Sequence, residues 1–366
     1  MQTDILIIGA GVIGLSIGLF FSKSGYDVVI LEKDKSFGLS TSSRNTEVIH
    51  AGIYYKKDSL KQKLCFKGKS MLYDFCDKYS IKYNKCGKIF IANNSQELTI
   101  LENLKNHSVN NGLKDLIFLN RNEISNKEPL LEAKYGLLSP SSGIFDSYEL
   151  MSKLSELNNN HGTLIAYLSP FVNAKKIIND HWEIDVGGKE PSKIKSKLII
   201  NSSGLDSASI RSKIFPNMSN PISLPVKGSY LRYSGNSPFK HIIYPCLIPG
   251  KITERVDATP DLNNSLFFGP SIEKDISGLD YSSPPDLIDR LYPSIIKYFP
   301  TVQLAKINRD QSGYRPKIKS KNLFNDYFIK YDHNNNWIDL IGIESPALTS
   351  CLAIGEYVFH LYSKKK

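Results

Sequence analysis

The chain has 366 residues, which is enough for a large hydrophobic core and for two domains. Its formal net charge of +10 is spread over dispersed lysines and a lysine run at 364–366. The basic residues do not cluster with aromatic side chains and form no known nucleic-acid-binding motif, so no nucleic-acid partner is expected. The five cysteines form no Cys-x-x-Cys pair, which indicates free thiols in a reducing, cytoplasmic compartment and no metal site. The weakly basic surface suits anionic substrates or a peripheral membrane contact, although a lysine-rich background without any role explains it equally well.

The N-terminal segment has the pattern of a dinucleotide-binding fold. A short apolar strand runs into Gly9-x-Gly11-x-x-Gly14, a helical pattern follows, and a second short strand ends at Glu32. The glycines permit a tight turn, a close approach to a pyrophosphate and close packing of helix on strand, while the acid can hold a ribose hydroxyl. The apolar run 5–21 is too short for a membrane span and has no basic residues before it, so we expect a buried strand and helix rather than an anchor or signal peptide.

A polar segment then brings several chemical groups together. Ser42, Ser43 and Asn45 can hydrogen-bond a polar cofactor, and His50 can take part in proton transfer. The alternative is a polar loop in which His50 is a satisfied buried histidine. The dinucleotide pattern immediately upstream favours the cofactor-binding interpretation.

Hydrophobic periodicity and turn residues predict the elements that follow. In chain order they are a helix at 59–79, a strand at 87–92, a helix at 97–111, a strand and turn at 136–145, a helix from Asp146 or Ser147 to 157, and strands at 163–173, 182–186 and 197–201. Residues 221–269 have no helical period and are rich in Pro, Gly and Tyr, which predicts an antiparallel sheet. The last predicted elements are a helix at 284–299 disturbed at Pro293, a turn at 313–316, a strand at 337–342 and a helix at 348–361.

Two of these junctions are candidate cofactor contacts. The strand at 197–201 continues through Ser203-Gly204 into a helix at 206–213, which suits a second close approach to the cofactor or is an ordinary strand–helix connection. The helix from 348 starts after a Pro-Ala pair, and a helix N-terminus aimed into a site can stabilise negative charge.

These motifs resemble the FAD-dependent oxidoreductases of the D-amino-acid oxidase-like (DAO) superfamily, and most closely the L-2-hydroxyglutarate dehydrogenase/oxidase family within it. The most specific part of the resemblance is Ser42-Ser43-Arg44-Asn45-x-Glu47-Val48-Ile49-His50-Ala51-Gly52-Ile53-Tyr54-Tyr55. Other matching segments reach the last helix: Lys127-Glu128-Pro129, Gly143-Ile144-x-Asp146, Pro225-x-Lys227-Gly228-x-Tyr230, Ile243-Tyr244-Pro245, Phe268-Gly269-Pro270, Gly313-x-Arg315-Pro316 and Gly342-Ile343-Glu344-Ser345-Pro346-x-Leu348-Thr349.

The resemblance implies an α/β fold with two domains. A Rossmann-like FAD-binding domain would be assembled from the discontinuous segments 1–80, 148–215 and 319–366. A substrate-binding domain on a mainly antiparallel β-sheet would comprise 81–147 and 216–318.

The resemblance also implies roles for individual residues. The positions implied to contact FAD are Gly9, Gly11, Ile13, Gly14, Glu32, Ser42, Ser43, Asn45, Val172, Ser203, Gly204, Ala347, Leu348 and Thr349. Arg315 would bind the substrate carboxylate with its planar fork, helped by Lys227 or Tyr244, and His50 would take the substrate's hydroxyl proton. An arginine that only ties a turn is the structural alternative for Arg315.

The chain departs from the family pattern in two segments. Where the family usually carries Gly-Val-His-hydrophobic-Thr, this chain has Arg255-Val256-Asp257-Ala258-Thr259, and Ala347 stands where glycine is common. These changes affect the expected substrate more than the expected fold or cofactor.

The resulting prediction is oxidation of a 2-hydroxy acid, with L-2-hydroxyglutarate the expected substrate, to the 2-oxo acid by hydride transfer to FAD. Electrons would pass on to a quinone, another carrier or oxygen. The alternatives are an amine oxidase of the same superfamily acting on glycine- or sarcosine-like substrates, for which Asp257 could be an amine partner, and a flavin-binding subunit without turnover. A NAD-dependent dehydrogenase is a weaker alternative, because only one dinucleotide fingerprint is present.

Overall fold

The structure, a computed structural model, describes residues 1–177, 181–246, 255–273, 278–319 and 325–363. The lysine run at 364–366 and part of the 221–269 segment lie outside these residues. The strands are β1 (Gln2–Ile8), β2 (Val28–Leu31), β3 (Val48–Ile49), β4 (Tyr83–Asn84), β5 (Lys88–Ala92), β6 (Ile117–Asn120), β7 (Tyr135–Ser139), β8 (Gly143–Phe145), β9 (Leu164–Ala166), β10 (Phe171–Lys176), β11 (Trp182–Val186), β12 (Ser192–Asn201), β13 (Ser223–Tyr233), β14 (Ile242–Pro245), β15 (Asp257–Pro260), β16 (Leu266–Gly269), β17 (Ile307–Ile318), β18 (Phe328–Asp332) and β19 (Trp337–Ile341). The helices are α1 (Val12–Lys23), α2 (Leu60–Tyr79), α3 (Ser95–Asn110), α4 (Arg121–Lys127), α5 (Ser147–Asn160), α6 (Ser207–Ile214), α7 (Leu287–Ile295) and α8 (Ala347–Ser363).

The first large sheet has the strand order β10-β11-β12-β1-β2-β9, with β19 beside β12 and β18 beside β19. Its centre is parallel, because β1 pairs in parallel with β12 and β2, and β2 pairs in parallel with β9. Alternate residues of β1 enter two different core clusters: Ile5 and Ile7 pack on the side of α1 and α8, and Leu6 and Ile8 pack on the side of Trp337. Burial on both faces explains the continuous apolar run of β1.

The second large sheet has the order β17-β13-β16-β15-β14-β5-β7-β6. All its neighbours are antiparallel except β14 and β5, which pair in parallel. Its residues alternate in the same way, since Ala258 lies in the core under α7 whereas the adjacent Asp257 lies on the opposite face. The mixed α/β fold expected from the sequence is confirmed, whereas the division into two domains with the stated boundaries stays a prediction.

Two helix starts follow directly from capping residues in the sequence. Ser59 caps α2 by accepting from the N–H of Gln62 at 3.2 Å, and Asp146 caps α5 by accepting from the N–H of Glu149 at 2.8 Å. Such caps satisfy one of the unpartnered amides of the first turn, and therefore mark where a helix begins. None of the described helices is long and apolar enough to cross a bilayer.

Two sequence-based elements need correction. The strand expected at 163–173 is two strands that pair with different partners, and the chain bends between them at Leu168, whose φ is +52°. The turn expected at 313–316 lies inside β17, where Arg315 pairs with Val226. Gly313 serves a close approach rather than a turn, because a Cβ there would lie 2.3 Å from the carbonyl oxygen of Arg44. Pro316 is tolerated because β17 is the edge strand of its sheet.

Candidate active site

A cavity of about 860 Å³ is lined by residues from both large sheets. It opens at the carboxyl ends of β1 and β2, where ligands bind in open α/β sheets, and it is closed on the other side by β13, β15 and β17. Its volume is at the upper end of the range found for small-molecule sites, about 300–1,000 Å³. The cavity is therefore large enough for an extended cofactor together with a small substrate.

The nucleotide end of the cavity is shaped by two glycines. Gly9 turns the chain after β1 with φ of +98°, and a Cβ there would lie 3.0 Å from the carbonyl oxygen of Ser202. A Cβ on Gly14 would lie 1.9 Å from the carbonyl oxygen of Gly9. Because neither position has room for a side chain, α1 packs directly on the turn, and Gly11 and Ile13 line the cavity beside it.

The start of α1 offers backbone donors to this end of the cavity. Its N-cap is Gly11, which has no side chain to cap the first turn. The N–H of Val12 donates to the hydroxyl of Ser42 at 3.1 Å. The first amides of a helix have no partner within the helix, and together with the helix dipole they favour a bound anion. This geometry suits the pyrophosphate of a dinucleotide.

Glu32 is buried on the cavity wall at the end of β2. One of its carboxylate oxygens accepts from the N–H of Ala10 at 2.8 Å and the other accepts from the N–H of Asp34 at 2.9 Å. Each oxygen keeps a further lone pair, so the carboxylate is fixed in place and can still accept from ribose hydroxyls. With Ser203 and Gly204 also on the wall, the residues present fit the adenosine and pyrophosphate of FAD.

The loop before β3 is organised by Asn45. Its side-chain amide donates to the carbonyl of Ser42 at 2.8 Å and its oxygen accepts from the N–H of Glu47 at 2.8 Å. Gln311 of β17 donates to the carbonyl of Asn45 at 3.1 Å and so joins the loop to the second sheet. Asn45 and Ser42 line the cavity, but much of the hydrogen-bonding capacity of Asn45 is used to fold the loop.

His50 follows β3 and lies where the two sheets meet the cavity. The backbone N–H of His50 donates to the hydroxyl of Thr349, which in turn donates to the carbonyl of Val48 at 3.2 Å. The ring nitrogen Nε2 of His50 lies 3.3 Å from the hydroxyl of Ser345. Burial lowers the pKa of His50 well below its usual 6.5, and the positive charges of Lys88 and Arg255 lower it further. The imidazole is therefore neutral at neutral pH and able to accept a proton.

Arg315 points into the cavity from β17. Its guanidinium lies over the backbone of Gly228, where a Cβ would come within 2.9 Å of one of its nitrogens. Among the described residues it has neither a carboxylate partner nor a side-chain hydrogen bond. A guanidinium that lines a cavity without an internal counter-ion is suited to bind a carboxylate or phosphate of a ligand.

A second group of charges lies beside the same sheet, with two strands, β13 and β16, between it and β17. Arg255 contacts both oxygens of Asp257, with Nε 2.6 Å from one and a hydrogen bond of 3.1 Å to the other. Its guanidinium carbon lies 4.3 Å from the ring centre of Tyr244, and the ammonium of Lys88 lies 3.8 Å from the same ring centre. Burial raises the pKa of Asp257 to about 6, although Arg255 and Lys88 oppose the shift.

Sequence reasoning missed Lys88 and noted Arg255 only as a departure from a family pattern. Lys88 is 1% exposed within β5, and burial lowers its pKa to about 7 despite the nearby Asp257. The available signal was a lysine at the start of an apolar strand, two positions before Phe90 and hence on the same face.

The structure brings most of the predicted site residues to one cavity. Those that line it are Gly9, Gly11, Ile13, Glu32, Ser42, Asn45, His50, Ser203, Gly204, Tyr244, Arg315, Ala347 and Leu348. Gly14 and Thr349 stand directly behind this wall, one under the glycine turn and the other under His50.

Three further predicted residues, Lys227, Val172 and Ser43, do not line the cavity either. Lys227 alternates to the opposite face of β13 and pairs with Asp280 at 3.4 Å, so we correct its assignment to the substrate site. The carbonyl of Val172 accepts from Lys213 at 2.7 Å instead of facing the cavity, where its neighbour Phe171 lies. The hydroxyl of Ser43 is turned toward the carbonyl of Ser40, away from the cavity wall.

Metal and thiol chemistry find no support in the part of the chain that the structure describes. No group of three or more His, Cys, Asp or Glu side chains there is arranged to hold a metal ion. The five cysteines are free thiols, and the pKa of Cys65, next to His50, is raised to about 12 by burial. A thiol with so high a pKa is a poor nucleophile.

Comparison with known proteins gives consistent results along the chain. The family model described as DAO, FAD dependent oxidoreductase, matches residues 4–361. A mitochondrial L-2-hydroxyglutarate dehydrogenase of Arabidopsis thaliana is 33% identical over an alignment of 401 residues, gaps included, that covers 98% of this chain and 83% of that protein. A glycerol 3-phosphate dehydrogenase of Caloramator mitchellensis is 27% identical over 98% of this chain and 73% of that protein. The structure of a dithionite-reduced L-alpha-glycerophosphate oxidase from Mycoplasma pneumoniae with FAD bound shares the fold, with a TM-score of 0.88 and 23% identity over 99% of this chain and 95% of that one.

Proposed function

This chain belongs to the FAD dependent oxidoreductase (DAO) family, with FAD as its cofactor, and we propose that it oxidises a 2-hydroxy acid, L-2-hydroxyglutarate, to the 2-oxo acid. The observation that carries the proposal is the guanidinium of Arg315, which lines the cavity without a counter-ion among the described residues. A carboxylate bound there by two parallel hydrogen bonds would place the adjacent C2 of the substrate toward the cofactor.

His50 takes the proton in this proposal. Its imidazole is neutral at physiological pH because burial and two neighbouring cations lower its pKa, and it lines the same cavity as Arg315. A neutral histidine within reach of the substrate's hydroxyl can act as a general base. The hydroxyl of Ser345, 3.3 Å from Nε2, helps to orient the ring.

FAD, when bound, accepts the hydride that leaves C2. The start of α1 and Glu32 would hold the pyrophosphate and ribose, and the segment from Ser42 to Asn45 together with Ala347 and Leu348 would line the flavin. An external acceptor, which is a quinone, another carrier or oxygen, then takes the electrons. A cytoplasmic location with peripheral membrane contact stays a prediction.

The sequence left Asp257 as a possible partner for the amine of a glycine- or sarcosine-like substrate. Both of its oxygens contact Arg255, so it is committed to holding that guanidinium. An amine oxidase would need an acceptor for the substrate's ammonium that is not already paired with a cation, and both oxygens of this carboxylate are paired with Arg255, although one of them accepts no hydrogen bond. The Arg255–Asp257 pair thus supports a hydroxy acid over an amino acid.

Anaerobic reduction of the flavin tests the proposal directly. The purified yellow protein is mixed with L-2-hydroxyglutarate, its D-enantiomer, other 2-hydroxy acids, glycine, sarcosine and glycerol 3-phosphate, and bleaching of the flavin absorbance is recorded. We expect the fastest bleaching with L-2-hydroxyglutarate. Faster bleaching with an amine or with glycerol 3-phosphate would assign a different substrate, and no bleaching with any compound would favour a non-catalytic flavoprotein.

A further inference from the structure

We propose that Arg255, held by Asp257 and stacked on Tyr244, binds a second anionic group of the substrate and so determines the choice of a dianionic acid. This inference rests on the proposed function, because Arg315 is taken to bind the carboxylate next to the reacting carbon. It assigns a role to Arg255 and Asp257, two of the residues at which the chain departs from its family pattern.

The position of Arg255 within the sheet supports this role. Arg255 lies two residues before β15 begins at Asp257, and Arg315 is on β17, with β13 and β16 between those strands. Neighbouring strands are ~4.8 Å apart, so the axes of β15 and β17 are separated by ~14 Å. Both arginines nevertheless line the same cavity, and Arg315 is close enough to help lower the pKa of Asp257. Two long side chains reaching into one cavity from this separation can hold the two ends of a small diacid.

The hydrogen-bonding geometry leaves Arg255 able to bind. Asp257 accepts a hydrogen bond from Nη2 and is ion-paired with Nε, and these two nitrogens form one edge of the guanidinium. The side chain of Asp257 is 4% exposed, whereas that of Arg255 is 23% exposed and lines the cavity. Tyr54 on the cavity wall also interacts with Arg255, and the donors on Nη1 and Nη2 that neither Asp257 nor Tyr54 takes are those that a carboxylate can accept from.

The local charge also calls for a second anion. The Arg255–Asp257 pair is neutral as a unit, but Lys88 next to it has no carboxylate within ion-pair distance among the described residues. Below pH 7, where Lys88 is protonated, a monoacid would neutralise only Arg315 and leave this excess positive charge in a buried setting. A distal carboxylate or phosphate on the substrate would balance it.

A purely structural ion pair is the competing explanation, and the chain contains a matched example. Arg232 on β13 is hydrogen-bonded to Asp310 on β17 and stacks over Phe267 at 4.3 Å, which repeats the arrangement of Arg255, Asp257 and Tyr244. Neither Arg232 nor Asp310 lines the cavity. Arg232 is more exposed than Arg255 and also lies 3.8 Å from Asp261, so the R232Q/D310N variant removes a comparable but less buried Arg–Asp pair without touching the site.

The experiment compares R255Q/D257N with R232Q/D310N and the unmodified enzyme, all as holoproteins. Glutarate and pentanoate, which have equal chain lengths but differ in one carboxylate, are titrated against the flavin absorbance spectrum. We expect the unmodified enzyme and R232Q/D310N to bind glutarate more tightly than pentanoate, and R255Q/D257N to lose about 10- to 100-fold of that preference. An unchanged preference in R255Q/D257N, or no preference in the unmodified enzyme, overturns the proposal.

Turnover measurements separate this inference from the proposed function. If R255Q/D257N loses its preference for glutarate and its ratio of kcat/KM for 2-hydroxyglutarate over 2-hydroxypentanoate also falls, the inference and the proposed function are both supported. If the glutarate preference depends on Arg255 but no 2-hydroxy acid reduces the flavin, the diacid site stands and the proposed reaction is wrong. If R255Q/D257N does not fold, Arg255→Lys keeps the charge beside Asp257 but loses the second edge, and a preference unchanged within twofold in that variant rejects the proposal.

Discussion

The wall of the cavity near Gly9 is made of backbone, whereas the wall near Arg315 is made of charged side chains. At the first end, a glycine turn and a helix start present amide groups, and even Glu32 is held by two backbone N–H groups. At the second end, Arg315 and Arg255 reach in from separate strands, with Lys88 buried beside them. The first end suits a ligand through its shape and its fixed backbone dipoles, and the second end suits a ligand whose negative charge balances the positive side chains.

This difference means that the two ends respond differently to substitution. A backbone site has no spare volume, so an added methyl group disturbs the whole turn. A charged site tolerates changes in volume better but is sensitive to the number and reach of its charges. Cofactor binding and substrate choice should therefore be separable, and each prediction below tests that separation.

The largest effect is expected from Gly14→Ala at the backbone end. The new Cβ would lie 1.9 Å from the carbonyl oxygen of Gly9, so α1 must move off the turn that faces the pyrophosphate. We expect purified protein with little or no bound flavin, measured as the ratio of absorbance at the flavin band to that at the protein band. Gly25→Asn, in open space after the same helix with φ of +83°, is the control and should retain flavin, because asparagine tolerates this conformation. Full flavin content in Gly14→Ala would show that the turn is not part of the cofactor site.

His50→Gln should leave the cofactor in place and slow its reduction. Loss of a positioned general base typically costs about 10²–10⁴-fold, and the glycine turn and Glu32 are untouched. Stopped-flow reduction by L-2-hydroxyglutarate measures this rate. In the unmodified enzyme the rate should rise with pH through an ionisation well below 6.5, because burial, Lys88 and Arg255 lower the pKa of His50. If His50→Gln keeps both the rate and this ionisation, the base lies elsewhere.

Arg315→Lys should weaken substrate use without loss of flavin. Lysine keeps the positive charge but cannot form two parallel hydrogen bonds to a carboxylate, which should cost about 1.5–3 kcal/mol, or roughly 10- to 150-fold in kcat/KM. Arg309→Lys, on the same strand but outside the cavity, serves as the control. Equal kcat/KM values for Arg315→Lys and the unmodified enzyme would remove Arg315 from the substrate site.

The same contrast explains how much of the site could be foreseen. The glycine turn and Glu32 lie within one short segment whose order of strand, turn, helix and strand is readable from the sequence alone. Arg255 and Lys88 come together only when β15, β14 and β5 pair, and the parallel pairing of β14 with β5 has no local signal. Lys227 was misassigned for a related reason. The face of β13 on which its side chain lies, and therefore its contact with Asp280, depends on the register of β13 with β17.

Lys88→Met should produce the smallest change in activity but a diagnostic change with pH. The ammonium of Lys88 titrates with a pKa of about 7, lowered by burial and by Arg255 while Asp257 opposes the shift. Its positive charge is therefore lost as pH rises through 7, and with it part of the attraction for an anionic substrate. We expect kcat/KM of the unmodified enzyme to fall by roughly threefold to tenfold above this pH. In Lys88→Met that alkaline decline should be absent, and its persistence would exclude Lys88 as the titrating group.

Stability should change in the opposite sense to activity. The unfolded lysine has a pKa near 10.5 and the folded one near 7, so between these values the unfolded chain binds more protons and the stability of the unmodified enzyme rises with pH. Below pH 7 the full cost of burying the ammonium is present, and methionine of similar length removes it. The Tm of Lys88→Met should therefore exceed that of the unmodified enzyme most at pH 6 to 7, and the difference should shrink toward pH 10. A Tm difference that is independent of pH would mean that Lys88 contributes to packing but not to the charge of the site. The positive charge at the substrate end of the cavity would then come from Arg255 and Arg315 alone.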